Sequence, residues 1–93
     1  MTLRFQYTGQ LAAAAGTAEE TVELAEGAIL GAVLKNLADR HGPGFGDLLF
    51  DAMGRVRPTL LVALDGVQAS GEKEAQLLDR VSEVLLMTPI AGG

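Results

Sequence analysis

The sequence predicts an α+β domain in which one main helix packs across a mixed sheet of about four to five strands. Apolar and polar residues alternate near the N-terminus, one stretch has apolar residues at helical spacing, and two apolar runs occur in the second half. The chain has 93 residues and 48% hydrophobic content, enough for one small core. Because no repeat or linker divides it, residues 1–93 are predicted to form a single domain.

Two strands are predicted before the helix. Leu3, Phe5 and Tyr7 alternate with polar residues, which is typical of a half-buried strand. Residues 9–17 are interpreted as a connection with a short alanine-rich helical turn. Alternation resumes over Thr21–Ala25, which predicts a second strand that pairs with the first as a hairpin.

The main helix is predicted over residues 28–41, where apolar residues recur at helical spacing. Its start lacks a capping Ser, Thr, Asp or Asn before Ile29. Gly31 costs up to ~1 kcal/mol relative to alanine, so tertiary packing has to stabilise this end. Gly42 and Pro43 mark the end of the helix.

Residues 42–58 are predicted to form a long excursion with one short helix near Asp47–Met53. Leu60–Leu64 is almost continuously apolar, as in a strand from the middle of a sheet. Asp65-Gly66 is a tight-turn dipeptide, and Val67–Ala69 is expected to return as a short strand.

The last predicted strand is Val84–Met87. The preceding polar segment, residues 71–80, is turn-rich, and its Leu77 and Leu78 are expected to enter the core. If the last strand is central, it must lie parallel to the first, and the main helix then provides the crossover.

Composition excludes several kinds of chemistry. The chain has no cysteine, which rules out disulfides, thiolate metal sites and a cysteine nucleophile. The net charge is −5, which argues against nucleic acid as a partner. The acidic cluster of Glu19, Glu20, Glu23 and Glu26 is interpreted either as a solvated edge or as a surface that attracts a basic partner.

Targeting signals are not recognised in the sequence. No apolar stretch approaches the ~20 residues of a membrane span. The N-terminal residues lack the charged-then-apolar order of a signal peptide. We therefore expect a cytoplasmic protein without a membrane partner.

Three other candidate motifs carry little signal. His41 has no second metal ligand at suitable spacing and is interpreted as a helix C-terminal cap. The glycine-rich segment 42–46 lacks the Lys-Ser/Thr ending of a phosphate-binding loop. Asp47 and Asp51 are spaced as a helical pair, but a single acidic pair is usually at the surface.

The most informative segment is the C-terminal one, where Gly92-Gly93 follow the last strand closely. Two consecutive glycines at a given place arise by chance about 0.5% of the time. Residues 89–93 are predicted to be a flexible tail. Pro89 would stiffen its exit from the sheet, and residues 90–93 would reach roughly 13 Å when extended.

The ending and the order of elements resemble the ubiquitin-like β-grasp sulfur carriers. That family includes the small subunit of molybdopterin synthase and the thiamine-pathway sulfur carrier. Most of the chain shares the pattern, but the specific match is the segment with a proline, a β-branched residue, a small residue and Gly-Gly. The matching stretches are Leu3–Phe5, Val22–Ala28, Val62–Gly66 and Ser82–Gly93.

The resemblance implies a carrier rather than an enzyme. A ubiquitin-activating-type adenylyltransferase would use ATP and magnesium to adenylate Gly93, and a sulfur donor would convert the adenylate to a thiocarboxylate. Pro89, Ile90, Ala91 and Gly92 would thread the tail into a partner's channel, where a Cβ on either glycine would collide. The carrier itself would bind no cofactor and no metal.

The acceptor of the sulfur is left open by the resemblance. It could be a synthase such as the molybdopterin synthase large subunit, or an enzyme of cysteine, thiamine or other thio-metabolite synthesis. Two other functions stay open as well. One is a ubiquitin-like modifier conjugated to lysines through Gly93, and the other is a β-grasp binding module whose glycine ending is accidental.

A docking surface is predicted from the alternation in the last strand. If Val84 and Leu86 fill the core, Leu85 and Met87 point to the opposite face and form part of an exposed apolar patch. The alternative is that the 42–58 excursion covers both side chains.

Overall fold

The computed structural model describes residues 1–89. It contains five strands, three α-helices and one 3₁₀ turn in this range. In chain order they are β1 (Thr2–Tyr7), α1 (Gly9–Ala15), β2 (Glu19–Glu23), α2 (Leu30–His41), α3 (Pro43–Leu49), β3 (Leu61–Leu64), β4 (Val67–Gln68), the 3₁₀ turn (Lys73–Ala75) and β5 (Glu83–Met87).

The five strands form one mixed sheet in the order β2-β1-β5-β3-β4. β1 is antiparallel to β2 and parallel to β5, and β5 is antiparallel to β3. The last strand is therefore central and parallel to the first, which confirms the sequence prediction. The chain passes through α2 between β2 and the later strands, which allows this parallel pairing.

The core lies between one face of the sheet and the helices. Alternate residues of each inner strand, such as Phe5, Val62 and Leu86, point into it and are fully buried. Leu34 of α2 and Phe45 of α3 close it from the other side. The predicted packing of one main helix across a mixed sheet is thus confirmed, with α1 and α3 added at its edge.

Backbone contacts replace a side-chain cap at the start of α2. The Leu30 N–H donates to the Gln76 carbonyl oxygen at 2.9 Å, and the Leu78 N–H donates to the Ala28 carbonyl oxygen at 3.1 Å. A Cβ built on Gly31 would lie 2.9 Å from the Glu74 Cβ, so only glycine lets the 3₁₀ turn approach the helix this closely. The helix begins at Leu30, two residues later than predicted, and ends at His41 as predicted.

The short helix of the excursion is misplaced in the sequence prediction. α3 begins at Pro43, which starts a helix well because it needs no N–H partner there. The predicted Asp47–Met53 helix cannot continue because the Asp51 carboxylate accepts hydrogen bonds from the Met53 and Arg55 N–H groups, at 2.9 and 3.0 Å. The chain instead turns back, and Phe50 pairs with Val56 in a small hairpin over residues 50–56.

The bounds of β2 and the burial of Leu77 also differ from the prediction. β2 covers Glu19–Glu23 and not Thr21–Ala25, because its pairing with β1 begins two residues earlier, with Glu19 opposite Gln6, and only the hydrogen bonds between Leu24 and the terminal residue Met1 continue it beyond Glu23. Leu77 was expected in the core, but it is 55% exposed while its neighbour Leu78 is fully buried. Consecutive residues of an extended segment point to opposite sides, so only one of the two can enter the core.

Candidate functional site

The segment that carries the predicted tail leaves the sheet from its middle strand. β5 is bonded on both sides, with Phe5 opposite Val84 and Leu61 opposite Met87. A strand held by two neighbours is fixed in position and direction. The chain that follows Met87 therefore starts from a fixed position at one end of the sheet.

Asp65 fixes the start of β5. The Asp65 carboxylate accepts backbone hydrogen bonds from Ser82 at 3.1 Å and from Glu83 at 2.9 Å, and the Asp65 N–H donates to the Glu83 carbonyl oxygen at 2.9 Å. Asp65 has a φ of 48° and Gly66 a φ of 85°, as in a tight hairpin turn with two left-handed residues. The sequence predicted this turn, but it gave no sign that the turn would also hold β5.

One apolar strip runs along the face of the sheet that points away from the core. Leu85 and Met87 of β5 lie beside Ala63 and Leu61 of β3 in the sheet register. Leu61 is 39% exposed and the other three are half-buried. We call these four residues the β5 strip; its two leucines and its methionine give apolar surface that the core does not use.

The predicted docking residues Leu85 and Met87 are thus on the face opposite Val84 and Leu86, which are fully buried. They are half-buried rather than fully exposed. The 42–58 excursion does not cover them, because its α3 packs against α1 and α2 on the other face of the sheet. Leu61 was not predicted as part of this surface; only the β3–β5 register places it beside Met87.

The start of β5 gives the strip a charged end. Arg4 of β1 is opposite Glu83 of β5, and their side chains form an ion pair on the same face as the strip. Arg4 Nε also lies 3.9 Å from a Glu19 carboxylate oxygen. Polarity along β5 therefore changes from an ion pair at its first residue to apolar side chains near the exit of the chain.

Of the predicted tail residues, the structure describes only Pro89, which is exposed and follows the half-buried Thr88. Ile90, Ala91, Gly92 and Gly93 lie outside the described residues. Their predicted role in a partner's channel stays a prediction.

The acidic cluster has two different parts. Glu19, Glu23 and Glu26 are exposed, but Glu20 is largely buried and contacts α2. Its carboxylate accepts a hydrogen bond from Arg40 Nη1 at 2.6 Å and lies 2.5 Å from His41 Nε2. Burial alone would raise the pKa of the Glu20 carboxyl, but the hydrogen bonds from His41 and Arg40 outweigh it and hold that pKa below its usual range.

His41 therefore joins the end of α2 to β2 through Glu20. Its ring also packs against Phe45, with ring centroids 4.8 Å apart. Within residues 1–89, no group of three His, Asp or Glu side chains could hold a metal ion. None of the helices in the same range is long and apolar enough to cross a membrane.

The family model described as the ThiS family matches residues 5–93, which is nearly the whole chain. The chain belongs to the ThiS family. This confirms the resemblance to ubiquitin-like β-grasp sulfur carriers, and members of this family are small carrier proteins that work with activating enzymes.

Solved structures with the same fold come from several different organisms. SAMP1 from Haloferax volcanii has a TM-score of 0.85 and 22% identity, with 100% of both chains covered. Urm1 from Trypanosoma brucei has a TM-score of 0.76 and 21% identity, with 99% of this chain and 95% of that chain covered. A putative molybdopterin converting factor subunit 1 from Pyrococcus furiosus has a TM-score of 0.65 and 20% identity, covering 97% and 99%. No curated protein sequence matches this ThiS-family chain.

Proposed function

We propose that this ThiS-family protein is a sulfur carrier in the cytoplasm that is activated at Gly93. A free carboxylate is a poor electrophile because its leaving group would be oxide. A partner adenylyltransferase would therefore join the Gly93 carboxylate to AMP, using ATP with magnesium and releasing pyrophosphate. Attack by a hydrosulfide equivalent on the same carbonyl carbon would then expel AMP and leave a thiocarboxylate, so the protein acts as a co-substrate and group carrier.

The main support is the position of β5. The family match extends through residue 93, and the chain leaves the sheet from a strand held on both sides. In this proposal Pro89 limits the freedom of the tail, which lowers the entropy lost when a partner captures it. Ile90, Ala91 and Gly92 would pass along the partner's channel to Gly93.

The β5 strip is the proposed docking surface for the activating enzyme and for the sulfur-accepting synthase. Leu85, Met87 and Leu61 lie on the face of the sheet that points away from the core, beside the last residues of β5, and they add little to the core. Apolar side chains left on the surface in this way are typical of protein interfaces. The Arg4–Glu83 pair would form part of the polar rim.

Intact-mass measurement tests the sulfur step directly. Incubation with ATP, magnesium, sulfide and the cognate activating enzyme should raise the protein mass by about 16 Da, as sulfur replaces one oxygen. Gly93→Ala should stay unmodified while its denaturation curve is unchanged. Normal loading of Gly93→Ala, or no mass gain with an enzyme active on another carrier, would contradict the proposal.

A second candidate is a protein modifier, which is favoured by the similarity to a protein named small archaeal modifier protein 1 from Haloferax volcanii. Both functions begin with the same adenylate, and they differ in the nucleophile that displaces AMP. A lysine amine gives an isopeptide bond, whereas sulfide gives the thiocarboxylate. Conjugates of higher mass that contain Gly93 linked to lysine would favour the modifier.

The enzyme that accepts the sulfur can be identified with the same mass measurement. Thiocarboxylate-loaded protein can be mixed with a molybdopterin synthase large subunit and with enzymes of cysteine or thiamine synthesis. The acceptor that returns the carrier to its unmodified mass identifies the pathway.

A further inference from the structure

A groove lies on the helix side of the molecule, on the opposite side of the sheet from the β5 strip. It has a volume of about 440 Å³ and is formed by three segments that are distant in the sequence. α2 contributes Ala32 and Lys35, the 50–56 hairpin contributes Phe50 and Arg55, and the 3₁₀ turn contributes Ala75. We call it the helix-side groove.

The walls of the helix-side groove are held in place by specific contacts. Asp51 closes the hairpin through its bonds to the Met53 and Arg55 N–H groups. Lys73 Nζ in the 3₁₀ turn donates to backbone carbonyl oxygens of residues 57, 58 and 60. A groove with fixed walls loses little conformational entropy when it binds a partner.

Apolar surface continues beyond the groove. Ile29 lines it and is 39% exposed, and Leu77, 55% exposed, is paired with Ile29 by a backbone bridge. Met53 at the hairpin tip is 80% exposed, so it adds almost nothing to folding. Methionine adapts to irregular partners and is frequent at protein-binding surfaces. Exposed apolar side chains next to a groove are typical of a surface that binds a segment of another protein.

The charges at the groove differ from those of the whole chain. Lys35 and Arg55 are exposed, and neither side chain has an ion pair or a hydrogen bond within residues 1–89. Among the described cations, only Arg80 shares this property. Of the described residues, Glu74 is the one acid that lines the groove, so Lys35 and Arg55 leave its lining with a net positive charge in a protein of net charge −5. This sign favours an occupant with carboxylates.

We propose that the helix-side groove is a second docking surface, and that it binds a partner-protein segment with apolar side chains flanked by Asp or Glu. The apolar side chains enter between Ala32, Phe50 and Ala75, and the carboxylates meet Lys35 and Arg55. Because the groove and the β5 strip are on opposite faces, both can be occupied at once. The proposal does not depend on the activation of Gly93.

A peptide titration followed by amide NMR tests this assignment. The probe is a synthetic amphipathic helical peptide with Leu and Phe on one face and Glu on the other. Its addition should shift the amide signals of Ala32, Lys35, Val56 and Ala75. The same peptide with Lys in place of Glu should bind at least about tenfold more weakly, and added salt should reduce this difference.

Charge-reversal variants give the matched comparison. Lys35→Glu with Arg55→Glu should weaken binding of the Glu peptide about tenfold, while Arg80→Glu should change it by less than about twofold. Met53→Ser should weaken binding through lost apolar contact. The amide spectrum of each free variant shows whether it is folded, and all these positions are exposed.

Several outcomes would overturn the proposal. Equal binding of the Glu and Lys peptides, or equal effects of Arg80→Glu and the double variant, would remove the electrostatic argument. Shifts confined to the β5 strip would place the peptide on the other face. Concentration-dependent shifts without peptide would assign the groove to a second copy, and equally tight binding of decanoate would assign it to a small anionic amphiphile.

Discussion

Asp65 and Asp51 use the same chemistry at two places, but with partners at very different distances in the sequence. Each carboxylate accepts two backbone N–H bonds in a turn. Asp51 bonds residues two and four positions ahead, whereas Asp65 bonds Ser82 and Glu83, which are 17 and 18 positions ahead. The first shapes only the 50–56 hairpin, and the second ties one hairpin of the sheet to the central strand. Contacts distant in sequence therefore position the strand that leads to the tail, whereas the local contacts of Asp51 shape only one wall of the helix-side groove, the 50–56 hairpin.

The largest expected effect comes from the core of the central strand. Leu86 is fully buried, so Leu86→Ala should lower the free energy of unfolding by about 3 kcal/mol, from lost burial and the cavity left behind. Met53→Ala at the hairpin tip should change it by less than about 0.5 kcal/mol. Urea denaturation of both variants measures the difference. Equal losses of stability would contradict the distinction between the buried central strand and the exposed hairpin tip.

The two aspartates should also differ. Asp65→Ala should cost about 2 kcal/mol, because it leaves the Ser82 and Glu83 N–H groups without their partner and puts alanine at a φ of 48°. Asp51→Ala should cost about 1 kcal/mol, because only a surface turn loses its bonds.

Asp65→Asn is the control for the first of these variants. Asparagine tolerates the left-handed conformation and keeps an acceptor oxygen, so it should retain most of the stability. Hydrogen exchange of the Ser82 and Glu83 amides should be accelerated by Asp65→Ala and not by Asp51→Ala. Acceleration by both would show that the hairpin and β5 are not independent.

Two glycines provide a smaller contrast. Gly31→Ala should destabilise the protein by about 1 kcal/mol even though alanine favours helix, because the new Cβ would lie 2.9 Å from the Glu74 Cβ. Gly44 in α3 has open space around its Cβ position, so Gly44→Ala should raise stability by about 0.5 kcal/mol. Thermal denaturation shows whether each variant is more or less stable than wild type. A stabilising Gly31→Ala would contradict the tight approach of the 3₁₀ turn.

The smallest expected effect is a pH dependence from Glu20. The pKa of the Glu20 carboxyl is lower in the folded state than in the unfolded state. The stability that Glu20 contributes is therefore fully present above the unfolded-state pKa and is lost as pH falls through the folded-state pKa. Between about pH 5 and pH 3, wild type should therefore lose more stability than Glu20→Gln. Glu26→Gln at an exposed position is the control and should follow wild type. Parallel curves for wild type and Glu20→Gln would contradict the role of the His41 and Arg40 contacts.

The sequence predicted those features that depend on local pattern. Alternation in β1, helical spacing in α2 and the Asp65-Gly66 turn each specify a local structure within a few residues. The central position of β5 followed conditionally, from the crossover rule. The role of Gly93 came from a resemblance in the last residues, which the family match supports and the described residues do not test.

The features that the sequence did not predict depend on contacts between residues that are distant in the sequence or on the pairing of strands. Leu77 and Leu78 are equally apolar, and only the backbone pairing with Ile29 decides which one is buried. Leu61 joins the β5 strip through its register with Met87, and Glu20 differs from the other acids because Arg40 and His41 reach it from α2. The Asp51 turn competes with helix formation, so the short helix shifts toward Pro43.

The pairing of β1 with β5 also has a consequence for biosynthesis. Among the described elements β1 is made first, yet one of its two partners in the sheet, β5, is made last. The buried side chains of β1 can pack against α2 and α3 as these helices are made, but the edge of β1 that pairs with β5 stays without its hydrogen-bond partner until the last strand is complete. A product truncated before β5 lacks the middle strand of its sheet and also Leu85 and Met87 of the β5 strip, so it would have neither the complete fold nor the proposed docking surface.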